Sequence, residues 1–161
     1  MPQVYEGDRD YIAVSYARAD VDAARSIVRA LADAGYRVWW DKGIRGGTRF
    51  SDDIADRVHD CACVIVLISR AWVDSDWCRD EVEYALGLKK KILPIYLEDV
   101  ELPRAMRMRL GGLQALFWHE YETDEEFNED LFAVRMLDSC LSEEGKSDRG
   151  VKARDAAATE R

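Results

Sequence analysis

The chain has 161 residues, 48% of them apolar and 34% charged, a size and balance that suit one domain whose core needs no disulfides. Lysine and arginine number 23 against 32 aspartates and glutamates, so the net charge is −9. That acidity speaks against a nucleic-acid backbone or an anionic membrane surface as partner.

Residues 1–10 are polar and acidic, unlike a signal peptide, and are expected to form a short segment ahead of the domain. The longest apolar run, residues 64–68, is far too short to span a bilayer, and a cytoplasmic location is expected. Of the four cysteines, Cys61 and Cys63 flank Ala62 at the start of an apolar run and read as core thiols, suited to a reducing compartment. No pair has CxxC spacing, and His59 and His119 are far apart, so no metal site is expected.

In chain order, residues 11–16 (YIAVSY) form a short apolar run that reads as a strand. Within 20–34, Val21, Ala24, Ile27, Val28 and Leu31 recur at helical spacing, and Gly35 follows as a helix stop. Residues 36–40 (YRVWW) read as the second strand. The loop at 41–49 (DKGIRGGTR) carries three glycines. It has no GK[ST] of a Walker loop, and no GxGxxG follows the first strand, so its glycines read as conformational freedom. Phe50, Ile54 and Val58 mark the next helix, with Ser51 as its candidate cap. Residues 62–69 (ACVIVLIS) are continuously apolar and rich in valine and isoleucine, as a parallel strand buried on both faces must be.

Residues 71–88 contain a further helix. Residues 91–97 (KILPIYL) read as the fourth strand, in which Pro94 calls for a bulge or an edge. Residues 102–110 suggest a short helix and 113–118 (LQALFW) a weaker fifth strand. A single amphipathic helix is expected over 124–141, with Phe127, Leu131, Val134 and Leu137 inward. Residues 142–161, charged and alanine-rich, are expected to form a disordered tail, leaving 11–141 as the domain. The alternation predicts an α/β fold: a flavodoxin-like three-layer domain around a five-stranded parallel sheet.

Candidate chemistry gathers near the third helical segment. Trp77 and Glu81 are four residues apart and share a helix face. Ligands of open α/β sheets bind beyond the carboxyl ends of the strands, where such helices begin. From the residues alone, Glu81 is either a catalytic carboxylate or a solvated one near a helix start, as Asp80 and Glu83 are. Trp77 stands equally as core or as ligand platform, while Cys78, with no histidine near it in sequence, reads as a structural thiol. Arg18 follows the first strand, where it meets either a phosphate or solvent. Tyr16 and Trp40 lie at strand ends on the same rim.

These segments resemble the TIR (Toll/interleukin-1 receptor) family. Residues 11–20 (YIAVSYARAD) resemble the opening TIR motif, with its serine-tyrosine pair at a strand end. Asp41 and Ile44-Arg45-Gly46-Gly47 after the second strand resemble the approach to the BB loop. Residues 69–81 (SRAWVDSDWCRDE) resemble the tryptophan-cysteine-x-x-glutamate block, the most specific match, and Phe117-Trp118 resemble the third motif. The loop lacks the arginine-aspartate-x-x-proline-glycine form of animal receptors and is closer to the glycine-rich bacterial type.

The resemblance implies an NAD+-cleaving enzyme with Glu81 as its catalytic glutamate and Tyr16, Arg18, Trp40, Asp41 and Trp77 around the NAD+, without a metal. It further implies self-association through the 41–49 loop and neighbouring helices. The product would be an ADP-ribose-type molecule, linear or cyclic, in signalling or anti-phage defence, read by a separate effector protein. Three rivals stand beside it. One is a TIR module that only associates with other proteins. Another is a phosphoacceptor receiver, disfavoured because the first strand ends in Ser15-Tyr16 and the third in Ser69 rather than in aspartate. The last is a nucleoside deoxyribosyltransferase-like enzyme, which also sets a glutamate against a ribosyl bond.

Overall fold

The computed structural model describes residues 4–41 and 52–145. Most of the glycine loop, Phe50 and the Ser51 cap lie outside the described residues, as does the chain from residue 146 onward. Five parallel strands form one sheet in the order β2-β1-β3-β4-β5: β1 (Ile12–Ser15), β2 (Val38–Trp40), β3 (Cys63–Ile68), β4 (Lys91–Tyr96) and β5 (Leu116–Phe117). The helices are α1 (Val21–Asp33), α2 (Asp52–Asp60), α3 (Arg70–Val73), α4 (Asp76–Gly87), α5 (Arg104–Leu110) and α6 (Asp124–Phe132). This is the expected flavodoxin-like three-layer α/β domain.

Strand alternation divides the core in two. Cys63, Ile65 and Leu67 of β3 face Ala24, Ile27, Val28 and Leu31 of α1 and Phe127 and Leu131 of α6. Val64, Val66 and Ile68 face the other way, onto Ile54 and Val58 of α2 and Val82 and Ala85 of α4. Helices on both faces require a strand apolar at every position, and CVIVLI is buried at all of them. Helix α1 stops at Gly35, whose φ of +96° lets Gly35 N–H reach the Ala32 carbonyl at 3.0 Å and Tyr36 N–H the Leu31 carbonyl at 3.0 Å.

Several expectations need correction. The 71–88 segment holds two helices, because Ser69 and Ser75 each cap one: Ser69 Oγ accepts from Trp72 N–H at 3.1 Å and Ser75 Oγ from Cys78 N–H at 3.2 Å. The single helix over 124–141 breaks at Val134, which is extended, and continues as a 3-10 turn, Arg135–Cys140. The cause is tertiary: Arg37 N–H binds the Cys140 carbonyl at 2.8 Å and Tyr36 bridges Leu141, drawing this segment alongside the entry to β2. Phe127, Leu131, Val134 and Leu137 are nevertheless all buried. Pro94 makes no bulge and lies on no outer strand; it pairs in unbroken register with Val66. It is tolerated because β5 is only two residues long and meets β4 at Ile95 and Tyr96, leaving the far side of residue 94 without a strand neighbour. Beyond residue 141, Ser142 N–H binds the Gly35 carbonyl at 2.8 Å and Gly145 is buried, so packing continues past the expected start of the tail.

No described helix is long and apolar enough to cross a membrane.

Candidate active site

Strand order 2-1-3-4-5 reverses direction at β1, and a cavity of about 810 Å³ opens beyond the carboxyl end of that strand. Tyr16, Arg18, Asp41, Trp77 and Glu81 all line it. Tyr16 and Arg18 arrive on the exit from β1, Asp41 on the exit from β2, and Trp77 and Glu81 on the first turns of α4. The volume falls in the range of small-molecule and cofactor sites.

Glu81 is 6% exposed, which overturns the picture of a solvated surface carboxylate. Trp77 Nε1–H donates to Glu81 Oε2 at 3.2 Å. Burial pushes its pKa up to about 7, and the nearby charge of Asp41 adds to the rise, while the neighbouring Ser15 and Trp77 side chains hold it down. The carboxyl is thereby poised at neutral pH. Trp77 is half-buried: it lines the cavity and packs on the core beside Val82. Both readings of that residue therefore describe the same ring.

The Tyr16 hydroxyl donates to the Asp41 backbone carbonyl, tying the ends of β1 and β2 together. Burial, then Asp41 and Glu81, push its pKa up to about 12, so the phenol stays neutral. Arg18 is exposed at the cavity edge. Trp40 is the sixth expected residue and does not line the cavity. It is 1% exposed and packs against Tyr16 with ring centroids 5.8 Å apart. The reason is the pleat: on β2, Trp40 shares the inner face with Val38 and points into the α1 side of the core. Cys78 is buried, and its thiol is pushed up to about 12 by burial, as suits a structural thiol rather than a nucleophile.

A family model described as TIR domain matches residues 12–132. The chain belongs to the TIR domain family. It is 30% identical over 95 residues to a probable 2' cyclic ADP-D-ribose synthase, BdTIR, of Brachypodium distachyon. That match takes in 53% of this chain and 42% of the relative, so the chain spans less than half of the relative's length. Among solved structures, the TIR domain of the Toll-related receptor TRR-2 from Hydra magnipapillata superposes with a TM-score of 0.60 at 24% identity, over 76% of this chain and 94% of that one. A metazoan TIR-STING receptor from C. gigas does so at 0.57 and 20% identity, over 88% and 44%. Both likenesses concern the fold.

Sequence reasoning about this TIR domain missed three contributors. Met106 of α5 and Pro103 before it form part of the cavity wall, although α5 lies more than twenty residues from the motif block. Ser15 is 1% exposed and sits against both Trp72 and Glu81. Its signal was faint: a hydroxyl ending an apolar strand, on the face it shares with Ala13. Among the described residues, no group of three or more histidine, cysteine, aspartate or glutamate side chains is placed to hold a metal ion.

Proposed function

We propose that this TIR domain cleaves the nicotinamide–ribose bond of NAD+, releasing nicotinamide and an ADP-ribose-type product, linear or cyclic. The observation that carries this is the Glu81 carboxylate, buried in the cavity wall and held by a donor from Trp77. NAD+ here is substrate rather than resident cofactor.

The chemistry asks little of an acid, because nicotinamide leaves a cation as a neutral ring. What rises along the reaction is positive charge on the ribose, and a fixed carboxylate in a site of low dielectric stabilises that charge as it develops. The same carboxylate can hold ribose hydroxyls or attack the anomeric carbon, as in glycoside chemistry. The exposed part of Trp77 offers a face to the nicotinamide cation. Arg18 at the rim suits the pyrophosphate, Asp41 borders the cation's side of the cavity, and Trp40 acts from beneath by supporting Tyr16. Capture of the ribosyl cation by water gives linear ADP-ribose; capture by a hydroxyl of the same molecule gives a cyclic isomer. Similarity to a probable 2' cyclic ADP-D-ribose synthase of Brachypodium favours the cyclic branch.

Self-association through the 41–49 loop and neighbouring helices, a cytoplasmic signalling or anti-phage role, and a separate effector that reads the product complete the proposal. Purified protein incubated with NAD+, with nicotinamide followed by chromatography and products by mass spectrometry in dilute and concentrated samples, tests it. Absence of nicotinamide release in both samples refutes it.

A further inference from the structure

The chain leaves β1 through residues 16–18, and Tyr16, Ala17 and Arg18 all line the cavity. Arg18 is exposed, so its place depends on the backbone that carries it. That backbone turns at a short 3-10 segment, Arg18–Asp20, in which Asp20 N–H reaches the Ala17 carbonyl at 2.9 Å. Asp20 then stands at the start of α1, where an aspartate ordinarily accepts from the first N–H groups of its own helix. Here its side chain makes no such bond. Its carboxylate accepts instead from the Ser69 hydroxyl at the end of β3. A local preference set aside in this way marks a tertiary demand. Ser69 is 2% exposed, and both capacities of its hydroxyl are used: the oxygen accepts from Trp72 N–H at 3.1 Å and the proton goes to Asp20. Trp72 is fully buried, and its Nε1–H donates to Ser15 Oγ at 3.2 Å. A closed ring results, from Ser15 to Trp72, Ser69 and Asp20 and back along the chain through Arg18 and Tyr16. Both ends of the cavity-lining segment are thereby fastened to the start of α3, directly after the central strand.

We propose, on the NAD+-cleaving reading above, that Asp20 is a positioning residue: bound to Ser69, it holds the turn that presents Arg18 to the pyrophosphate of NAD+. An arginine on a loose turn samples many places, and a ligand that needs one of them is bound less tightly in proportion to the time it is absent. The hydrogen bond to a charged acceptor is of the stronger kind, and it reaches Asp20 from the sheet, the rigid part of the fold. Glu81 and Trp77 sit on α4, outside the ring. Loss of the bond between Asp20 and Ser69 therefore loosens substrate binding and leaves the bond-breaking step alone.

The experiment measures nicotinamide release from NAD+ by the full chain and by Asp20→Ala, Asp20→Asn, Arg18→Ala and the double variant Arg18→Ala/Asp20→Ala. Asp20→Ala is expected to raise KM about three- to tenfold, the loss that follows when a bond to a charged group no longer holds the anchor, while kcat moves by less than about twofold. Asp20→Asn keeps an oxygen of the same reach and should return KM to within about twofold of its original value. In the double variant KM should equal that of Arg18→Ala alone, because a turn that no longer carries the arginine has nothing left to present. If Asp20→Ala melts below the assay temperature, Asp20→Gly, which a helix start accepts at little cost, carries the same expectation. An unchanged KM in Asp20→Ala, a fall in kcat as large as the rise in KM, an asparagine variant that behaves like alanine, or effects of Arg18→Ala and Asp20→Ala that multiply in full overturns the assignment of Asp20. No turnover by the unaltered chain overturns the NAD+-cleaving reading instead.

Discussion

Replacing Glu81 by glutamine should stabilise this protein while ending its turnover of NAD+. The carboxyl titrates at about 7 in the folded chain against 4.5 for an unperturbed group. Below pH 4.5 it is protonated in both states and contributes nothing to the difference. From 4.5 to about 7 the unfolded chain gives up its proton while the folded chain keeps it, so stability falls as pH rises. Above that window both are ionised and the burial penalty is constant. A gap of about two and a half units, at 1.36 kcal/mol each, makes that penalty about 3 kcal/mol. Glutamine keeps the shape and the acceptor for Trp77 but carries no charge; its extra amide hydrogens in a buried site return about 1 kcal/mol of the gain. A net gain of about 2 kcal/mol at pH 8 corresponds to a rise in melting temperature of about 4–8 °C for a chain of this size. At pH 4.5 the gain should be gone, leaving the glutamine variant about 1 kcal/mol less stable than the unaltered chain. Calorimetry of both proteins at pH 4.5, 6 and 8, beside an assay of nicotinamide release, measures it. A melting difference that stays the same from pH 4.5 to pH 8 would refute the assignment of a buried, proton-retaining Glu81. A glutamine variant that still releases nicotinamide at near the original rate would refute its catalytic role.

Trp77→Ala should reduce kcat/KM for NAD+ by at least about tenfold, since it removes a donor to Glu81 and an aromatic face, while the partly buried ring costs less stability than a fully buried core residue; a large fall in melting temperature with unchanged kcat/KM would make Trp77 a core residue only. Trp40→Ala should do the reverse. It empties a core site and should cost about 3–5 kcal/mol, read as a lower midpoint in a urea titration; unchanged stability with a raised KM would restore Trp40 as a direct contact. Specific activity should climb with protein concentration, and climb further as salt screens the net charge of −9 that opposes self-association. A hundredfold dilution series with light scattering decides this, and flat activity from a strict monomer would exclude assembly as the activator.

The order of strands and helices was legible in the chain because each element carries its own periodicity. The unbroken CVIVLI run could only be a strand covered on both faces, and the spacing of Ala24, Ile27, Val28 and Leu31 could only be one face of a helix. The pairing of Trp77 with Glu81 was legible for the same local reason, a four-residue step on one helix. Where an element ends is less local. Two serine caps divided the 71–88 segment, and a bridge between Tyr36 and Leu141 broke the last helix at Val134. Periodicity reports which residues face inward, and those stayed inward through the break, but it says nothing of a distant carbonyl that bends the backbone.

By itself, then, the sequence determined the α/β alternation, the parallel sheet, the two apolar faces and the motif that names the family, because all of these rest on spacings of a few residues. Only the tertiary structure decided what Glu81 is. Its neighbours in sequence, Asp80 and Glu83, are exposed, and the step from Trp77 that singles out Glu81 does not say that its carboxylate is buried. The difference is made by Ser15, sixty-six positions earlier, and by Asp41 and Tyr16 at the ends of two strands that meet α4 only when the sheet has formed. Burial and opposing hydrogen bonds are properties of a surrounding, and a carboxylate acquires its surrounding only when distant parts of the chain close around it.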